Sequence, residues 1–329
     1  MNNKHKLFVI IAMVVVISFS MVSCDTGGGD SDPPPLYIIT GSGASFTATR
    51  GGAAIPDGSG VIIANVISAI RSHAGGIDVT IQFGSNGENL NLGTGTVSLD
   101  NTSGTWGHIT LQGSISTSSI GGSTITVGNG VSVISTGTIT NTHASGGGGL
   151  NNSGTVHISD GTVQANGGTA IFIQAGQLTF SGGEIISGGN PSTISMSNAA
   201  SRLNMSGGTV RNTSTGAAVE IQSAVQGDAV IISGGTVEAG SGSAINSSNG
   251  HIIISQDHPG TPTIIRSSGS TNATIHLANA TNGTLEIKSG KVENTGDGGV
   301  SISVNSGIPA TRVTALPAAE IIPRPAWLD

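Results

Sequence analysis

The residues able to do chemistry are few and scattered. Inside the chain, carboxylates stand at Asp160, Glu184, Glu220, Asp228, Glu238 and Asp257, and no Asp-Asp pair occurs anywhere. Hydrolysis by a general acid and base needs two carboxylates within about 5–10 Å of each other. Only folding could bring such thinly spread acids together. The histidines His73, His108, His143, His157, His251, His258 and His276 show no metal-ligand spacing. Arg211 and Glu238 each follow a valine at the same place in a repeated segment, which sets them side by side on adjacent turns. The plain reading is a cross-strand ion pair worth little; the sharper one is a catalytic Arg–Glu pair. The clearest break in regularity is Gln256-Asp-His-Pro-Gly-Thr-Pro262. Insertions into a repetitive scaffold project as loops and often bind. Gln256, Asp257 and His258 are therefore the candidate binding loop, with His251 nearby; the competing reading is a bare surface loop.

One further reactive residue is Cys24, the only cysteine, so no internal disulfide can form. Lys4 and Lys6 precede an apolar run from Leu7 to about Met21, long enough for a signal-peptide core and short for a membrane span. The run ends Met21-Val22-Ser23-Cys24, which resembles a bacterial lipoprotein cleavage box, with Met21 where leucine is usual. That resemblance implies lipidation of Cys24 and a firm hold on a bilayer, since each buried CH₂ contributes about 0.8 kcal/mol. The next residues, Asp25 to Pro35, are rich in Gly, Asp and Pro and read as a flexible tether. Asp25 resembles an inner-membrane retention signal, so the leaflet stays open. Cleavage before Cys24 leaves 9 basic and 18 acidic residues. Such a surface repels nucleic acid.

Elements that position these residues must come from periodicity, because only 9% of the chain is charged and 3% aromatic. A chain this polar and Gly-rich stays disordered unless its apolar residues recur in step. They do recur. Val156-His-Ile-Ser-Asp-Gly-Thr-Val163, Leu178-Thr-Phe-Ser-Gly-Gly-Glu-Ile185, Leu203-Asn-Met-Ser-Gly-Gly-Thr-Val210 and Val230-Ile-Ile-Ser-Gly-Gly-Thr-Val237 align, as does Leu285-Glu-Ile-Lys-Ser-Gly-Lys-Val292. The last apolar residue of each unit gives Val97, Ile115, Ile139, Val163, Ile185, Val210, Val237, Ile264 and Val292, spaced by 18 to 28 residues. That period is the mark of a solenoid. Alternation such as Leu203-x-Met205 is strand spacing, and Gly-Gly breaks the strand at a corner. A second motif, as in Gly216-Ala-Ala-Val219 and Gly242-Ser-Ala-Ile245, brings each coil to about three strands. Asn141, Asn212 and Asn294 each fall two residues past a marker. Stacked amides there would form a partial asparagine ladder between coils.

The unit resembles the right-handed parallel β-helix repeats of bacterial surface and secreted proteins, pectin-lyase-like in the broad sense, over roughly residues 60 to 305. The fold expected is all-β: a single-stranded right-handed parallel β-helix of about nine coils with a short N-terminal capping helix. The expected organisation is a lipoprotein signal peptide at 1–23 and a flexible tether at 24–35. An N-terminal cap at 36–76, the parallel β-helix at 77–307 and a Pro-rich tail at 308–329 follow. The cap's helix is signalled by Ile62, Ile63, Val66, Ile67 and Ile70, ended by Gly75-Gly76. Glu286, Lys288, Lys291, Glu293 and Asp297 mark a soluble last rung, and Pro309, Pro317, Pro323 and Pro325 argue against strand stacking after it. Trp327 could anchor the tail over that rung.

Lyases and hydrolases of polysaccharides share this fold, and the resemblance would then imply clustered aspartates, or calcium-binding carboxylates beside a basic residue. Neither pattern is present in the sequence. No cofactor or metal motif occurs either. Thr124/Thr126 and Thr138/Thr140 resemble the threonine faces of ice-binding solenoids, but the place of Thr140 becomes Gln164, Ile186, Arg211 and Glu238 in later coils. Sugar stacking lacks a platform, with only Trp106, Trp327, Tyr37 and six Phe. The function expected is a non-enzymatic, lipid-anchored envelope protein at the outer membrane or cell surface, adhesin-like, scaffolding or interacting. Its partners would be the membrane and a glycan or surface protein, not nucleic acid. The alternative is a polysaccharide-binding or polysaccharide-degrading protein.

Overall fold

The computed structural model describes residues 32–43, 45–102, 104–222, 224–257, 262–278, 283–305, 309, 312–325 and 328. The leader, Cys24, Asp25, His258 and Trp327 lie outside them. Residues Pro34–Asp329 form one compact unit that holds the whole described core. It is a β-solenoid of about nine coils, with three parallel ladders running along the stack.

The repeat explains the ladders. Alternating side chains point in and out. In the first ladder Ile109, Val133, Val156, Leu178, Leu203, Val230, Ile252 and Leu285 stack inward in one column. The Ser-Gly-Gly corner then turns the chain into the second ladder, where Ile115, Ile139, Val163, Ile185, Val210, Val237, Ile265 and Val292 stack. A polar corner leads to the third ladder, whose inward column runs from Val97 through Ile125, Leu150 and Ile171 to Ile302. Nearly all of these residues are fully buried. Each contributes about 1.5–3 kcal/mol relative to exposure.

Two markers are corrected by this register. Val97 belongs to the third ladder, opposite Ile125, and the residue in line with Ile115 is Leu90. Ile265, not Ile264, sits in line with Val237. The asparagine ladder is also corrected. Asn141, Ala165, Ser187, Asn212, Ala239, Ser267 and Asn294 succeed one another in register, so no asparagine stacks on another. Each instead ties its corner to the coil before it. Asn141 Nδ2 donates to the carbonyls of Ser119, Gly122 and Gly148, and its Oδ1 accepts from the amide of His143. Ser187 does the same work with a hydroxyl, donating to Gly168 O at 2.7 Å.

The stack starts before residue 77. β1 (Leu36–Ser42) pairs in parallel with Val79–Phe83. β2 (Ser45–Arg50) folds back on β1, and β3 (Ala53–Gly60) folds back on β2. β3 is the outermost strand of this end, and Pro56 and the left-handed Asp57 (φ 53°) interrupt it. Both features discourage pairing with a foreign strand. α1 (Ile63–Ala74) lies against β3 and buries Ile63, Val66, Ile67 and Ile70, while Ile62 is left exposed. Gly75 ends the helix in the left-handed region (φ 64°).

The helix is pinned by charge as well as by apolar burial. Arg71, 8% exposed, donates to Asp100 O at 2.7 Å and meets Asp100 Oδ1 at 3.2 Å, with its guanidinium over the Trp106 ring. The hydroxyl and amide of Thr102, then Ser98 and Arg71, hold the Asp100 carboxyl down at about 2. A depressed carboxyl stabilises the fold above its unfolded value of 3.8 and loses that contribution as pH falls through about 2. Asp100 is 31% exposed, so solvent screening leaves about 1–2 kcal/mol. The expected result is that wild type and Asp100→Asn differ by that much in urea unfolding at pH 5 and converge toward pH 2. A difference that stays constant with pH would refute the assignment.

At the far end the expectation of an unstacked tail is corrected. Val313–Ile322 forms a strand paired in parallel with Thr284–Asn294. Pro317 is accommodated because it falls where the register shifts between Ile287 and Ser289, a bulge that asks no amide of it. The charged coil at Glu286–Asp297 is therefore not the last rung. Leu328 packs against the core beyond it.

Candidate functional site

The interrupted coil lies at a defined corner. Ile254 aligns with Ile232 and Ile264 with Thr236; ten positions separate the first of each pair from its successor where four would suffice. The six extra positions, of which 258–261 lie outside the described residues, fall between the first and second ladders. The described residues on either side are tied down. The Gln256 amide donates to Ser289 Oγ at 2.7 Å, the Asp257 amide to Ser233 O at 3.2 Å, and Thr263 Oγ1 to Ser255 O at 2.6 Å. The side chains of Gln256 and Asp257 are exposed. His251 does not join them. It begins the strand His251–Ile254 at the end remote from the loop, and its Nδ1 meets Asp228 Oδ1 at 2.9 Å.

Of the other candidate acids, Glu184 and Glu238 sit on an outward face beside arginines, Asp228 meets His251, and Asp160 accepts from the amide of Gly161 at a corner. Arg211 and Glu238 are neighbours in register. Their ion pairs nonetheless run elsewhere: Arg211 to Glu184 at 3.5 Å, and Glu238 to Arg266 at 2.8 Å. Lys291 meets Glu293 at 2.7 Å, and that bond draws its ammonium above the usual amine range. The outward column at this position reads Thr140, Gln164, Ile186, Arg211, Glu238, Arg266 and Glu293, its first three residues uncharged and its last four alternating in sign. Charges so arranged neutralise one another along this column.

Thr124 is buried and donates to Thr140 O at 2.9 Å, so it is unavailable to a flat threonine face. Comparison of the chain with protein-family models, curated proteins and solved structures returns no match.

Sequence reasoning missed two features. On the third ladder, Glu220, Asn246 and His276 follow one another outward. Glu220 accepts a 2.6 Å bond from Ser192, and burial pushes the His276 imidazole below its ordinary value. At the N-terminal end a polar cleft of about 670 Å³ opens between β3 and α1, lined by Pro56, Asp57, Asn65, Ser72 and His73. Tyr37, wholly buried, meets His73 Nδ1 through its hydroxyl at 2.9 Å. Asn65, Ser68 and Ser72 recur at helical spacing, a polar stripe beside the apolar one that sequence could have offered as the cleft wall. Among the described residues no group of three His, Cys, Asp or Glu could hold a metal ion, and no helix is long and apolar enough to cross a membrane.

Proposed function

We propose that this chain is a non-enzymatic, lipid-anchored protein of the bacterial cell envelope, a right-handed parallel β-helix with an adhesin-like, scaffolding or interaction role. The observation that carries this reading is the disposition of its acids. Glu184, Glu238 and Glu293 lie along one outward face, each within 3.5 Å of a cation on that same face. Polysaccharide hydrolysis asks for the opposite, two carboxylates facing each other across a groove with one of them protonated. Anchorage rests on the run from Leu7 to Met21 and on Cys24 after Ser23.

Two measurements test the reading. Labelled palmitate should enter the wild-type chain expressed in a lipoprotein-processing bacterium and be lost from Cys24→Ser; label absent from wild type would defeat the anchor. On a polysaccharide panel the purified protein should release no product above buffer. Turnover abolished by Glu220→Gln or Asp257→Asn would overturn the non-enzymatic assignment.

A further inference from the structure

We propose that the outward face of the second ladder pairs, in antiparallel fashion, with the same face of a second copy of this chain. One column carries the argument. In register it reads Ile186, Arg211, Glu238, Arg266, Glu293 and Ile322. By character this is apolar, plus, minus, plus, minus, apolar. Reversed, every charge becomes its opposite and the two isoleucines exchange. A two-fold axis along the strand direction, passing between the coils of Glu238 and Arg266, performs that reversal. It sets Arg211 against the second copy's Glu293, Glu238 against the second copy's Arg266, and Ile186 against the second copy's Ile322. Such an interface is isologous and closed.

The spacing is matched automatically, because both copies repeat at the rung distance of about 4.8 Å, and six rungs span about 24 Å. The other possible two-fold, which keeps both stacks pointing the same way, would set each arginine on its own copy and is rejected by charge. Arg211 is 40% exposed, Glu238 32%, Arg266 43% and Ile322 44%, while Glu293, lying against Lys291, is 17% exposed. Bonds within one copy do not exhaust a guanidinium, which has five donors in a fixed fork. In the flanking column Glu184 would approach the second copy's Glu320, but Arg211 and Lys291 stand beside these acids at 3.5 Å and 4.0 Å.

A face about 24 Å tall and one short strand wide offers roughly half the ~800 Å² per partner of a stable complex. The pairing is therefore weak and salt-sensitive. The N-terminal ends then lie at opposite ends of the pair, a geometry suited to chains held in two facing surfaces. That consequence rests on the envelope-anchored reading; the pairing itself does not.

The test uses residues 34–329, free of any anchor, in sedimentation velocity. A monomer–dimer equilibrium is expected at low salt, weakened at least about tenfold in 0.5 M NaCl, where the screening length is only a few ångströms. Glu238→Arg should weaken it at least about tenfold, and Glu238→Arg with Arg266→Glu should restore it. Orientation is read separately by cross-linking with a bismaleimide that spans the roughly 10 Å between packed sheet faces. Arg211→Cys chains mixed with Glu293→Cys chains should be joined through their two thiols, and neither should be joined alone. A monomer at every concentration up to about 1 mM, an association indifferent to salt, or cross-linking within a single variant would overturn the proposal. The palmitate result would be untouched by any of these.

Discussion

Replacing Gly183 with alanine is expected to destabilise the fold by about 2–5 kcal/mol, while the same change at Gly121 should stay within about 0.5 kcal/mol. Gly183 is the second glycine of a Ser-Gly-Gly corner and sits at φ 84°. A Cβ there would lie 2.3 Å from Gly161 O, a backbone atom of the coil below. The left-handed conformation alone costs an L-residue about 1–2 kcal/mol, and overlap with a packed backbone adds about 1–3 kcal/mol. The neighbouring backbone cannot yield, because Gly161 O also accepts the amide of Glu184 at 2.9 Å. Gly121 has open space around its absent Cβ. Gly161, Gly208 and Gly235 occupy the same corner of other coils at φ 84°, 75° and 87°. Urea unfolding of residues 34–329, followed by far-UV circular dichroism, measures both variants. Equal stability of the two would show that the corner is not what sets the coil spacing.

The corner is also where the sequence was most legible. Gly-Gly after an alternating strand names a turn, which the structure makes left-handed at the second glycine, and the period of the following Val or Ile names the solenoid. Where a residue has one physical reason to be present, reading it works. It failed where two reasons compete. Val97 satisfies the apolar rule of all three ladders, and only pairing with Ile125 shows which one it joins. Pro317 breaks a regular strand but not a bulge, and bulges leave no trace in a single sequence. The ion pairs show the same limit. Sequence put Arg211 beside Glu238, and the register agrees, yet side-chain reach takes Arg211 to Glu184 and Glu238 to Arg266. Arg71 did leave a signal. It falls four residues after Ile67, on the apolar stripe of α1, where an unpaired cation would be costly. Its partner Asp100 is distant in sequence and carries no mark. The candidate loop was found because it broke the period, while the cleft beside His73 was missed because nothing there breaks one.

Asn212→Ala is expected to cost about 2–4 kcal/mol, although alanine already fills the same column at Ala165 and Ala239. Space is not the issue; unmet polar groups are. Asn212 is 1% exposed, and its Nδ2 donates to Pro191 O at 2.9 Å while its Oδ1 accepts from the Ser214 amide at 2.9 Å. Removing the side chain leaves the half-buried Ser214 amide and the carbonyls of Pro191 and buried Gly189 without this partner, at about 1–3 kcal/mol each with partial relief by water. The amide is held on both sides, since a Cβ on Gly216 would come within 2.8 Å of Nδ2, so no larger neighbour could move in to replace it. Asn212→Asp separates this account from a simple packing effect. The carboxylate keeps the shape and can still accept from Ser214, but it faces the carbonyls of Pro191 and Gly189, which it cannot donate to. Burial and those carbonyls raise its pKa in the folded state. A raised carboxyl pKa makes the variant regain stability as pH falls from neutrality toward its unfolded value near 4. Over that range Asn212→Ala should show no such recovery relative to wild type. Unfolding midpoints of the two variants at pH 7 and pH 4.5 decide it. Parallel pH dependence of both would mean that the side chain at 212 contributes volume alone.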